Sequence, residues 1–166
     1  FCFRSKNSFI FSLISMFSAP FQKVLNELKV SATHLNDSER KGLDEKGFVV
    51  IPDHLPHSLR EQLIETVESI FLEEGPAAGI QKQNDSVNLN QFGQEPGARR
   101  LSDLVNKGEI FKEIYLDPKL LSAVAHVLQR DFKLSSLNAR DVSKGNGYQR
   151  LHADWKQDYD QRFHVF

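Results

Sequence analysis

The apolar positions of the chain change period along its length, and the change separates a helical first part from a later one built of strands. Phe21, Val24, Leu25 and Leu28 recur at helical spacing and predict a short helix over 20–30. Asn36 followed three residues later by Glu39 has the form of a capping box, opening a helix that should end near Gly47. Phe48-Val49-Val50-Ile51, closed by Pro52, is a continuous apolar run and is expected to be a buried strand. After Pro56 comes the clearest helix, with Leu59, Leu63, Ile64, Val67, Ile70 and Phe71 on its apolar face and Gly75 at its end. Residues 76–97 are mostly Gln, Asn, Gly and Ala and read as a long loop. One or two helical turns are expected over 101–106, and a helix over 110–115. A further helix from Pro118 to about Gln129 should present Leu120, Leu121, Val124, Val127 and Leu128. Residues 132–142 alternate as a strand, Lys144-Gly145-Asn146-Gly147 is a turn, and Tyr148 to Leu151 should begin the return strand. Helices first and sheet late make an α+β pattern, with three or four strands in view and no internal repeat.

Composition narrows the functional classes. At 166 residues, 40% hydrophobic and 26% charged, the chain is ordinarily globular and long enough to bury a core. A formal charge of −1, with no basic cluster denser than Arg99-Arg100, argues against a nucleic-acid partner. One cysteine, Cys2, excludes an internal disulfide. Residues 1–17 hold five of the thirteen phenylalanines and only two charges, Arg4 and Lys6. Polar residues break that run too often for a membrane span, so no membrane association is expected. Met16 is expected to be the natural start, residues 1–15 being upstream sequence; a targeting peptide and a genuine structural segment are the alternatives. The expected location is cytoplasmic.

The chemistry concentrates near the end, in Leu151-His152-Ala153-Asp154-Trp155. On an extended strand i and i+2 point the same way, so His152 and Asp154 can grip one ion. Non-haem iron is held by two histidines and one carboxylate on one face of the metal. The spacing alone is cheap: six histidines and eleven aspartates nearly supply one such match by chance. The other histidines have ordinary readings. His34, His54 and His57 are expected at the surface, and His126 packed or exposed on its helix. Asp158, Asp160 and Arg162 read as a polar loop.

Context strengthens the pair. Gly47-Phe48-Val49-Val50-Ile51-Pro52 resembles the first strand of the phytanoyl-CoA dioxygenase family. So do Arg99-Arg100-Leu101-Ser102-Asp103-Leu104-Val105-Asn106-Lys107-Gly108, Lys133-Leu134-Ser135-Ser136-Leu137-Asn138-Ala139-Arg140 and the 151–155 motif. The resemblance runs from Leu35 to Trp155 in the family's order. It implies N-terminal helices packed on an incomplete double-stranded β-helix, a jelly-roll or cupin-like barrel. Residues 1–30 would be an N-terminal extension, partly non-native or flexible, and 31–166 the N-terminal part of the family domain. It implies Fe(II), 2-oxoglutarate as co-substrate, ascorbate as an accessory reductant, and hydroxylation of an unactivated C–H bond in a small-molecule substrate. His152 and Asp154 match iron ligands. Arg100 falls where a basic residue can meet the oxo-acid, Asn138 where the co-substrate pocket is lined, and Trp155 where the substrate side is walled. The family's second histidine ligand and its 2-oxoglutarate arginine have no counterpart in these residues. His164 lies ten residues past Asp154 and is not expected to take the missing place. The chain by itself is therefore expected to be inactive. The alternative is a non-catalytic, truncated member of the fold acting as an interaction module. Arg99-Arg100 could equally be a solvated pair, and Asn138 and Arg140 hydrogen-bonded residues with no ligand.

Overall fold

The computed structural model describes residues 17–75, 78, 82–83, 86–87 and 97–146. In chain order the elements are α1 (Ala19–Glu27), α2 (Asp37–Lys46), α3 (His57–Glu74), β1 (Lys82–Gln83), β2 (Ser86–Val87), β3 (Ala98–Leu101), α4 (Lys112–Tyr115), α5 (Pro118–Leu128) and β4 (Ala139–Val142). Single 3-10 turns cover Ala32–His34, Leu104–Asn106 and Glu109–Phe111. Helices and antiparallel strand pairs together make an α+β chain. Its contacts divide into two compact units, one of residues 17–52 and 114–133, the other of residues 53–113 and 134–146.

The first unit is helical. Ser18 caps α1, its Oγ accepting from the Phe21 N–H at 3.4 Å. Its own N–H donates to Asp131 Oδ1 at 2.9 Å, and its hydroxyl donates to Asp131 Oδ2. This ties the start of α1 to the segment after α5. Phe17, Leu25 and Ala125 are buried together, flanked by Phe21, Val30 and Phe132. The rings of Phe21 and Phe132 meet edge to face with centroids 4.9 Å apart, a favoured aromatic geometry. Residues 17–30, outside the stretch that carries the family resemblance, thus supply much of this unit's core.

The capping box of α2 forms as expected. The Glu39 N–H donates to Asn36 Oδ1 at 2.9 Å, and the Asn36 N–H donates to Glu39 Oε2 at 2.8 Å. Gly47 ends the helix at φ 78°, a left-handed conformation that glycine adopts without a Cβ penalty. Helix α5 packs on α2 and on the Ala32–His34 turn. It does so through its small residues: Ser122 and Ala125 are buried, whereas Leu120 and Val127 of the expected face stay exposed. Apolar residues surround most of this helix, so periodicity could not select the side, and small side chains allow the closest approach.

Phe48–Ile51 is the main departure from expectation. It is not a strand, and Phe48 and Val50 are 62% and 73% exposed. A strand needs a hydrogen-bonding neighbour, and this segment has no ladder partner among the described residues.

In the second unit α3 spans 18 residues and ends at Gly75, burying Leu63, Ile70 and Phe71, while Ile64 faces out. The Glu109–Phe111 turn packs against it. Two antiparallel ribbons follow. β1 pairs with β2 (Lys82 opposite Val87, Gln83 opposite Ser86), inside the segment expected to be loop. β3 pairs with β4: Ala98 faces Val142, Arg99 faces Asp141, Arg100 faces Arg140 and Leu101 faces Ala139. β3 was not expected, because Ala-Arg-Arg-Leu carries too few apolar residues to show alternation. Of the strand expected over 132–142, only the last four residues pair. The turn after β4 forms, with the Asn146 N–H donating to the Ser143 carbonyl at 3.0 Å. The return strand expected over 148–151 lies outside the described residues.

Candidate functional site

The β3–β4 ribbon holds the candidate cofactor residues that the structure describes. Opposed residues of an antiparallel pair share a face. Arg99, Leu101, Ala139 and Asp141 therefore lie on one side of the ribbon, and Ala98, Arg100, Arg140 and Val142 on the other. Leu101 is fully buried and anchors the first side.

Arg99 is a clamp on that side. Its Nη1 and Nη2 donate to both oxygens of Glu68 on α3, at 2.8 and 2.7 Å, and its Nε donates to Asp141 Oδ2 at 3.0 Å. The guanidinium carbon lies 4.4 Å from the centroid of the Phe71 ring, within cation–π range. Glu68 first, and then Asp141, hold the Arg99 guanidinium above its ordinary pKa, and Arg99 in turn holds the Glu68 carboxyl below its own. Neither member of the Arg99-Arg100 pair stands before a helix; both belong to a strand, and Arg99 serves the fold.

Arg100 lies on the opposite face, half-buried, directly across from the exposed Arg140. Both residues also make interactions of their own. Asn138, just before β4, has both ends of its amide in use. Its Oδ1 accepts from the Asp103 N–H at 3.1 Å and its Nδ2 donates to Ser136 Oγ at 3.4 Å. Asp103 has φ 60°, costly for a residue with a Cβ, and the Asn138 bond helps to hold it there. Beside it the Leu104 N–H donates to the Leu137 carbonyl at 2.9 Å. His152, Asp154 and Trp155, with His164, Asp158, Asp160 and Arg162, lie outside the described residues. Among the described residues no group of three or more His, Cys, Asp or Glu side chains could hold a metal ion. None of their helices is long and apolar enough to cross a membrane.

A second site, in the helical unit, left no sign in the sequence. A cavity of about 250 Å³ opens there, with Phe17, Leu25, Val30 and Leu35 among its walls. Ser122 and His126 also line it, and His126 Nε2 lies 2.9 Å from Asp44 Oδ1. These are the residue types of a nucleophile, base and carboxylate set, which requires the hydroxyl to bond to the base. Ser122 Oγ instead lies 2.6 Å from the Pro118 carbonyl and 2.9 Å from that of Ser31. Its proton is directed at the backbone, and the serine ties α5 to the chain before the Ala32–His34 turn.

No family model, curated protein or solved structure matches the chain. The family resemblance rests on the residues that carry it.

Proposed function

We propose that the chain is part of a non-haem Fe(II)- and 2-oxoglutarate-dependent oxygenase of the phytanoyl-CoA dioxygenase type, built on a double-stranded β-helix and hydroxylating a small molecule. The observation that carries this reading is Arg100 facing Arg140 on one side of the ribbon, with His152 ten residues and Asp154 twelve residues further along the sequence from the end of β4. A guanidinium matches a carboxylate with two parallel hydrogen bonds. The residues fit the groups. Imidazole and carboxylate suit iron, and two cations on one face suit a dianionic oxo-acid. When bound, the metal and its co-substrate would supply oxygen activation and hydroxylation of an unactivated C–H bond. The chain's own part is to hold: His152 and Asp154 the metal, Arg100 a carboxylate of the oxo-acid, with Asn138 setting the backbone beside it and Trp155 walling the substrate side.

The test is anaerobic titration of the chain with Fe(II) and 2-oxoglutarate, following the visible charge-transfer band of an iron–oxo-acid chelate. His152→Ala and Asp154→Ala should each abolish protein-dependent iron binding, and Arg100→Ala should weaken 2-oxoglutarate binding while iron still binds. Iron binding unchanged in both ligand variants would refute the reading.

A further inference from the structure

We infer that the cavity of the helical unit is a binding site for a small neutral amphiphile, an apolar ring or short chain bearing a single N–H or O–H donor. This inference is independent of the oxygenase reading, since it rests on other residues.

Size comes first. About 250 Å³ exceeds the ~150 Å³ of an engineered apolar cavity that takes up benzene. Phe17, Leu25, Val30 and Leu35 give it apolar walls that favour a hydrocarbon body. The polar requirement comes from Gln22, which also lines the cavity. Its Nε2 donates to Asn26 Oδ1 at 3.3 Å, but its Oε1 is shielded from solvent and has no donor among the described residues. A buried acceptor left unpaired is costly, so a ligand that brings a donor gains what the protein alone lacks.

Charge sets the last constraint. Arg40, on the wall, points Nη1 at the carbonyls of Ala32 and Leu35, and its Nη2 lies 2.5 Å from Asp37 Oδ1. His126 faces Asp44. The basic side chains of the wall thus already have carboxylate or carbonyl partners, and nothing there calls for an anion. A neutral guest follows.

Indole and 1-methylindole, which differ in the ring N–H, are the probes, read by saturation-transfer NMR and calorimetry on the full chain. Indole should bind saturably and about tenfold more tightly than 1-methylindole, the worth of one hydrogen bond to a buried acceptor. Gln22→Met, which keeps the side-chain length and removes the acceptor, should bind the two alike. Ala32→Phe, at an exposed position on the cavity wall, should weaken both without touching the core. Absence of saturable indole binding, equal binding of the two probes by the unaltered chain, or an unchanged preference in a folded Gln22→Met variant would each overturn the inference.

Discussion

Glu39 uses its two carboxylate oxygens for different partners. Oε2 closes the capping box on the Asn36 N–H, and Oε1 lies 2.6 Å from Lys119 Nζ on α5, so one side chain both starts a helix and ties it to another. The Lys119 bond first, and then the Asn36 N–H, hold its carboxyl below the ordinary glutamate value. A carboxylate depressed in the folded state adds stability above its unfolded pKa and loses it as pH falls through the folded one. The urea midpoint of the chain should therefore hold from neutrality to about pH 5 and decline below it. Glu39→Gln preserves the box, because glutamine can fill that position, and removes the ion pair. It should lower stability at pH 7 by about 0.5–1 kcal/mol and flatten the acid decline; an acid decline as steep as in the unaltered chain would show that other groups cause it. Arg99 presents the same logic at a wetter site, since its side chain and those of Glu68 and Asp141 are each about half exposed. Arg99→Lys loses the two-pronged contact to Glu68 and the stacking on Phe71. It should lower the urea midpoint modestly, and the difference should shrink as salt is raised.

At the scale of elements, the β3–β4 ribbon depends on two positions. Gly97, just before β3, has φ 71°, and a Cβ there would lie 2.4 Å from the Asn146 side chain. Its carbonyl accepts from the Ser143 N–H at 2.8 Å, closing the end of the ribbon. Gly97→Ala should cost about 1–3 kcal/mol and speed hydrogen exchange at the Ser143 amide. Leu101, fully buried, is the other. Leu101→Ala should cost about 2–5 kcal/mol in thermal or urea unfolding, depending on how far its neighbours collapse into the space. The ribbon was half legible in the sequence. β4 was expected as part of a longer strand, while β3 was hidden by its two arginines. α2 shows the opposite case: its start and stop are written in Asn36, Glu39 and Gly47, where local hydrogen bonds and backbone sterics decide without help from the rest of the chain. α5 lies between. Asp117 and Pro118 mark its start, with Asp117 Oδ1 accepting from the Leu120 N–H at 2.7 Å, but its buried face is set by what packs on it.

For the molecule as a whole, charge and exposed apolar surface govern behaviour in solution. With a net charge of −1 and a pI near 6.7, the chain has little self-repulsion at neutral pH. Phe48 and Val50 stand largely exposed on a segment with no ladder partner among the described residues, a combination that invites strand pairing between copies. The Phe48→Ser, Val50→Thr double variant should therefore stay monodisperse to higher concentration in light scattering near pH 6.7, with its urea midpoint little changed. A stability lowered by about 2–5 kcal/mol would instead mean that these side chains are part of a core. The amino-acid order alone determined the helices with their caps, the polar turn after β4, the α+β class and the His152/Asp154 spacing. Each of these depends on neighbours within a few residues, through propensity, capping and steric limits on φ. Tertiary structure alone decided that Phe48–Ile51 has no ladder partner among the described residues, that Arg99 grips Glu68 while Arg100 faces Arg140, and that a cavity opens beside Gln22. Pairing register, buried face and enclosed volume are properties of segments far apart in the chain, and no local pattern can hold them.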